Sequence, residues 1–171
     1  MLTGMSDITQ KQFKTVMGRF VTGVTVIATG WGERLYAMTA NAVTSVSLDP
    51  LRMLVCITNE SHCLAAIRRE GIFSVNILRE DQAALSVYFS GYWKGAGAPA
   101  FRFAPWEGGA RLQGSVASIG CEVAELHASG DHKIVIGDVR GVYVGAGGRP
   151  LVYAKSRYHH LGPEVKRPDK K

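Results

Sequence analysis

The sequence lacks the marks of several protein classes. It has no stretch near the roughly 18 consecutive apolar residues that a membrane-spanning helix needs, so no membrane partner is expected. The opening MLTGMSDITQ has no basic-then-apolar pattern, so no secretory leader is expected and a cytoplasmic location is. Cysteine is scarce: Cys56, Cys63 and Cys121 are an odd number with no C-x-x-C spacing, which argues against a disulfide framework and for free thiols. Cys56 and Cys121 sit in apolar runs and read as small core residues. No G-x-G-x-x-G opens a helix after a strand, and no G-x-S-x-G elbow occurs. His159 and His160 are adjacent, so on a strand they point to opposite faces and no metal site is expected.

A chain of 171 residues fits one domain, read here as residues 1–163, with a basic tail over 164–171 expected to be disordered. The net charge is +6; the tail, with four bases and two acids, supplies +2 and leaves +4 spread along the rest. A diffuse positive charge suits an anionic small ligand at least as well as nucleic acid. The aromatics Trp93, Phe101, Phe103 and Trp106 fall in one segment and do not alternate along a strand, which argues against a nucleic-acid partner.

Periodicity predicts an amphipathic helix over 8–20, ending near Gly18 with Thr9 as its cap. The β-branched run 21–29 reads as a strand, and with 35–47 it predicts a hairpin closed by Asp49-Pro50. A buried strand follows over 51–58. A helix over 61–71 has Ser61 at its start and Gly71 at its end. A strand over 72–78 and a helix over 79–90 come next, then a long Gly-, Pro- and aromatic-rich loop over 91–111. Three strands are predicted over 114–128, 132–145 and 150–160. Seven or so strands with short connections and no strand–helix–strand repeat predict an antiparallel barrel with peripheral helices.

Three stretches carry candidate chemistry. In LYAMTANAVTSVSLDP (35–50), Thr39, Asn41, Val43, Ser45 and Ser47 share one face if the strand is regular. Two readings fit: a half-exposed strand with ordinary hydroxyls, or a platform on which a flat heteroaromatic ring lies against short polar side chains. At NESHCLAAI, Ser61 either caps the helix or bonds an anion at its start. In SGDHKIVIGDV, Gly130-Asp131 makes a turn and His132 is either a surface residue or a substrate contact beside a cleft.

The segments GRFVTGVTVIAT, MTANAVTSVSLDP, GIFSVNIL, FRF followed by a tryptophan, GDHKIVIGDV and PLVYAKSRYHHL occur in an order that resembles the short-chain NAD(P)H-dependent flavin reductases, over roughly residues 12–162. These are the reductase components of two-component flavin monooxygenases. The resemblance implies a mainly β fold, the FMN-binding split barrel, a Greek-key antiparallel barrel with flanking helices that works as a homodimer. It implies FMN or FAD as the flavin, NADH or NADPH as the hydride donor, and a partner oxygenase that receives reduced flavin. By motif position it places Thr39, Ala40, Asn41, Ala42, Ser45 and Ser47 along the isoalloxazine and ribityl chain. Ser61 and Cys63 fall near the flavin phosphate, and Asn59 is also counted as cofactor-binding. Gly130, Asp131 and His132 match a nicotinamide-dinucleotide motif, with His132 the catalytic candidate. Arg157 and Tyr158 match the closing motif beside the active site. Two departures stand out: Cys63, where the family more often has Ser or Thr, and Arg111, where many relatives have Pro and a loop over the flavin is expected to change. The absence of a triad, dyad or metal cluster suits hydride transfer, in which the cofactors carry the reactivity. Backbone N–H groups near Asn41 and Ala42 are candidates to stabilise anionic reduced flavin. The alternative is a non-catalytic flavin- or haem-binding protein on the same barrel, which has no need of Gly130-Asp131-His132.

Overall fold

The computed structural model describes residues 8–165; the basic tail expected from residue 164 lies mostly outside them. Among the described residues, twelve strands and three α-helices are present. Helix α1 (Gln10–Met17) has the expected cap: Thr9 and Gln12 form a reciprocal capping box, and the helix stops at Gly18. The predicted 21–29 strand is broken at Val24 into β1 (Thr22–Gly23) and β2 (Thr25–Thr29). Every residue of β2 is buried, because it packs on both faces, which is why its sequence is nearly continuous Thr, Val and Ile rather than alternating.

The predicted second strand is bent. Its first half, β3 (Tyr36–Ala40), pairs antiparallel with β2, so the hairpin exists. Its second half, β4 (Val43–Leu48), leaves β2 at Asn41-Ala42 and pairs with β5 (Leu51–Thr58) across the Asp49-Pro50 turn. Strand β5 is not buried throughout as its composition suggests; it alternates, with Met53, Val55 and Ile57 inward. Helix α2 (His62–Glu70) runs from a Ser61 cap to Gly71 at φ 71°, the left-handed conformation glycine adopts without Cβ strain.

Beyond α2 lie β6 (Ile72–Ile77) and α3 (Ala83–Phe89), the latter starting four residues later than predicted. The expected loop 91–111 in fact contains a hairpin, β7 (Phe103–Trp106) with β8 (Gly109–Leu112). Proline and glycine density hid it; Phe103, Ala110 and Leu112 are buried and drive it. The long strands β9 (Ala117–Ser129) and β10 (His132–Val144) pair through the Gly130-Asp131 turn. The predicted 150–160 strand is instead a tight hairpin of β11 (Val152–Ala154) and β12 (Arg157–His159).

Seven strands form one antiparallel sheet in the order β3-β2-β6-β9-β10-β5-β4. Its two edges are halves of the same bent segment, so the sheet closes through Asn41-Ala42, and the Cys56 N–H, donating to the Ala42 carbonyl at 3.0 Å, carries the β4–β5 ladder up to that bend. The run β2, β3/β4, β5 is followed by β6, which returns to lie beside β2: the expected Greek key. One apolar cluster fills the barrel, with Ile27, Val55, Ile57, Phe73 and Val135 packed against Leu64 and Ile67 of α2. A second lies outside β2, where Val26, Leu78, Leu85, Phe103 and Leu112 pack α3 and the β7–β8 hairpin onto the sheet. The two clusters hold the ends of β3 and α3 in fixed relation.

Candidate functional site

Strand β3 and the C-terminal half of α3 face each other across a groove. Two cavities of about 270 and 430 Å³ occupy it, and Thr39 and Ser90 line both. The smaller is walled by Val24, Thr39, Ala40, Asn41, Ser86, Val87, Tyr92, Tyr153 and Tyr158, with no charged side chain. The larger runs from Tyr36 and Met38 to Thr58, Glu60 and Ser61 at the start of α2.

The groove's floor is held by hydrogen bonds that converge on Ser86, a fully buried residue of α3. The Thr39 hydroxyl donates to the Ser86 carbonyl at 2.7 Å, and the Tyr158 hydroxyl donates to Ser86 Oγ at 2.9 Å. Three elements distant in sequence are tied at one serine. Thr25 Oγ1 donates to the Ala40 carbonyl at 2.7 Å and fixes the end of β3 before the bend. At the bend, Asn41 Nδ2 donates weakly to Thr22 Oγ1 at 3.3 Å. Among the described residues, no hydrogen bond is made by the Asn41 or Ala42 backbone N–H; Asn41 lies at the groove's end, and Ala42, one residue further, lines neither cavity.

Asn59 joins a second pair of elements. Its N–H donates to the Asp131 carbonyl at 3.0 Å and its Nδ2 to the Gly130 carbonyl at 3.1 Å. This brings the Gly130-Asp131-His132 turn against the segment that enters α2. His132 Nδ1 lies 2.7 Å from Asp131 Oδ1, and that contact holds the Asp131 carboxyl below its ordinary value. The Asp131 contact orients the ring and leaves Nε2 free to point outward.

Ser61 and Cys63 line the larger cavity, whereas Ser45, Ser47 and Arg157 lie elsewhere. The bend at Asn41-Ala42 breaks the shared face proposed for Thr39 through Ser47, because side-chain alternation restarts on β4. Ser45 and Ser47 line neither cavity; Ser47 Oγ accepts from the Asp49 N–H within the β4–β5 turn, and a bulge separates the two serines. Ser61 is the α2 cap, accepting from the Leu64 N–H at 3.4 Å, while its hydroxyl donates to Met38 Sδ at 3.3 Å. The Cys63 thiol is in the core, 4.0 Å from the Ile27 carbonyl, and burial pushes it up to about 12. What Cys63 brings to the helix start is its backbone, not its sulfur. Arg157 is exposed and lines neither cavity. Arg111 is on strand β8, not on a loop, with its guanidinium 3.8 Å from the Tyr143 ring centroid.

The sequence reading missed Ser86, Ser90 and Tyr92. A signal was present: Ser86 and Ser90 are four apart in ALSVYFS and therefore share a helix face. The thiol environments carry a direct test. Cys63 and Cys121 are buried and both pushed up to about 12 by burial, whereas Cys56 is half-buried. Alkylation of the native protein at pH 8 is expected to modify Cys56 alone, and all three thiols only after unfolding, as read by intact mass and peptide mapping. Native labelling of Cys63 would contradict its placement in the core.

Comparison with known proteins adds to this geometry. Residues 17–162 match the flavin reductase like domain family. The reductase component of 4-hydroxyphenylacetate 3-monooxygenase from Thermus thermophilus is 38% identical over 152 residues, covering 89% of this chain and 97% of the relative. An NADH-dependent flavin reductase from a Rhodococcus species is 34% identical, covering 91% and 88%. The solved structure of the flavin reductase PheA2 in its native state superposes with a TM-score of 0.85 at 34% identity, covering 91% of this chain and all of that one.

Proposed function

Because the chain belongs to the flavin reductase like domain family, we propose that it is an NAD(P)H-dependent flavin reductase that supplies reduced flavin to a partner monooxygenase. One observation carries the assignment of the site. Strand β3, the C-terminal half of α3 and the start of α2 are far apart in sequence, yet they line one groove, and Asn59 ties the Gly130-Asp131-His132 turn to the segment that enters α2.

The groove suits a flavin. Its smaller cavity has no charged side chain, the Thr39 and Tyr158 hydroxyls are held in place by Ser86, and the unengaged Asn41 N–H lies at its end. Thr39, Ala40, Asn41, Ala42, Ser86 and Ser90 are assigned to the isoalloxazine, and Ser61 with the α2 N-terminus to the ribityl phosphate of FMN or FAD. Bound there, flavin supplies the hydride acceptor for a nicotinamide. His132, fixed by Asp131 and Asn59, is assigned to positioning the nicotinamide substrate. The chain has only to hold two rings in register and exclude water, so no acid–base pair is needed.

A homodimer is part of this reading. Helix α1 buries none of its residues, and Phe13, Val16 and Phe20 are each more than 60% exposed. An apolar face of that size on a short helix is stabilised by a second copy. The unpaired cysteines suit a cytoplasmic location. Residues 1–163 are taken as the single working domain.

The test is anaerobic mixing of the protein with FMN or FAD and either nicotinamide. Flavin absorbance near about 450 nm is expected to bleach in a protein-dependent manner. No bleaching with NADH or NADPH overturns the assignment. His132→Ala is expected to raise KM for the nicotinamide about fivefold or more and leave flavin KM within about twofold; equal effects on both contradict its role.

A further inference from the structure

We infer that the cleft between α1 and the β11–β12 turn is a phosphate subsite for an adenine dinucleotide substrate, an inference that rests on the reductase reading. The cleft measures about 720 Å³. Lys11, Lys14, Arg19 and Lys155 line it together with Thr15 and Ser156, and no carboxylate does.

What sets the cleft apart is four cations around one concavity with no carboxylate in its lining. Arg52, Arg69, Arg79, Arg140 and Arg149 each lie within 3.0 Å of a carboxylate oxygen. Among the described residues, none of the four cleft cations forms such a pair. Four like charges around one concavity raise each other's energy, and a bound anion relieves this. Thr15 and Ser156 add hydroxyls able to donate to phosphate oxygens.

The backbone points the same way. Lys155 and Ser156 have φ of 49° and 59°. A two-residue hairpin turn with both φ positive is ordinarily built from Asn-Gly or Gly-Gly, and here it is built from side chains that resist it. The Lys155 N–H donates to the Gly18 carbonyl at 2.7 Å, so the strained turn is pinned to the end of α1. The strain holds a cation and a hydroxyl at the cleft's edge.

Position links the cleft to the groove. Tyr153 and Tyr158, which wall the smaller groove cavity, face each other across this same hairpin, two residues from the turn. Two residues of strand span about 7 Å, the scale of one sugar–phosphate unit. The groove itself offers no cation: its smaller cavity is uncharged, and the larger contains Glu60 and His62. A dinucleotide with its flat end in the groove therefore finds compensation for its phosphates one turn away. The shared chemistry is that of a pyrophosphate or phosphomonoester, and it has two sources: NAD(P)H, and the adenylate half of FAD, whose flavin half keeps the ribityl phosphate assigned to Ser61.

The experiment compares the full-length protein with Lys14→Gln/Lys155→Gln and with the charge-keeping Lys14→Arg/Lys155→Arg. Apparent KM is measured for FAD and riboflavin at saturating NADH, and for NADH and NADPH at saturating riboflavin. The expected result is a rise of about fivefold or more for at least one dinucleotide in the glutamine variant, riboflavin within about twofold, and near wild-type values for the arginine variant. A rise for FAD assigns the flavin adenylate as source; a rise for both nicotinamides assigns their pyrophosphate; a rise for NADPH alone assigns its 2′-phosphate. Smaller rises for all three, or an equal rise for riboflavin, overturn the subsite. Titration with inorganic pyrophosphate, followed by calorimetry, decides the same question without turnover. Binding that weakens about fivefold or more in the glutamine variant supports the subsite, and absence of binding to the wild type overturns it. Wild-type reduction of riboflavin by NADH reports separately on the reductase reading, which survives if only the subsite fails.

Discussion

Ser90→Trp is expected to lower kcat/KM for flavin about 100-fold, a loss of about 2.7 kcal/mol in transition-state stabilisation, with little change in melting temperature. Ser90 is the last helical-conformation residue of α3 and lines both cavities of the groove. It is exposed, and its hydroxyl bonds only the Val87 carbonyl of its own turn. An indole at this position has no core to disrupt, and the space it takes is the space assigned to the isoalloxazine. Ser90→Ala removes the hydroxyl without filling the groove and is expected to stay within about twofold of wild type. Steady-state assays at several flavin concentrations, paired with thermal melts, check both. A Ser90→Trp protein that turns over flavin normally would place the ring somewhere else.

The largest effect on stability is expected at Asn76. Its side chain is fully buried between β6, β8 and β9, and all its hydrogen-bonding capacity is used. Nδ2 donates to the Val26 carbonyl and to Ser74 Oγ, both at 3.0 Å; Oδ1 accepts from the Leu112 N–H and from Ser118 Oγ, both at 2.9 Å. Ser115 extends the network, donating to the Leu112 carbonyl and contacting Ser118. Asn76→Leu leaves the Leu112 N–H without an acceptor in a dry interior and strips a partner from both serines. Each orphaned group costs about 1–3 kcal/mol, so a loss of at least about 3 kcal/mol is expected. For a chain of this size that lowers the melting temperature by about 6–12 °C. Ser118→Ala removes one arm and is expected to cost about 1 kcal/mol. Denaturant melts of the three proteins check the order; equal stability of Asn76→Leu and wild type would show that the network is not what joins the β7–β8 hairpin to the barrel.

Where local chemistry decided the structure, the sequence was readable. The Thr9 and Ser61 caps, Gly71 at a left-handed helix end, and the Asp49-Pro50 and Gly130-Asp131 turns each depend on a few neighbouring residues, and each is where the residues put it. Long-range packing was less legible. The β7–β8 hairpin forms because Phe103 and Leu112 bury against β2 and α3, and nothing within 91–111 announces that partner. The bend at Asn41-Ala42 exists because one segment must serve both edges of a closing barrel, a demand of topology rather than of local propensity. That bend also explains the uneven outcome at the site. Thr39, Ala40 and Asn41 lie before or at it and line the groove, whereas Ser45 and Ser47 lie past it and do not. Cys63 is second in α2 and lines the larger cavity, but its thiol lies on the face that seals the barrel, so position in the sequence alone did not show that its backbone rather than its sulfur meets the helix start. Ser86 was passed over because a serine in an apolar helix looks unremarkable until the strand and hairpin it anchors are seen beside it.

The central claim is that a flavin ring lies in the groove along the seam of β3 and α3. A crystal structure of the protein grown with FMN tests it most directly. The account predicts isoalloxazine density over the Thr39–Ser86 seam, in contact with Thr39 to Asn41 and with Ser90. Density over Ser45 and Ser47 on β4, or anywhere that leaves the groove to solvent, would contradict it.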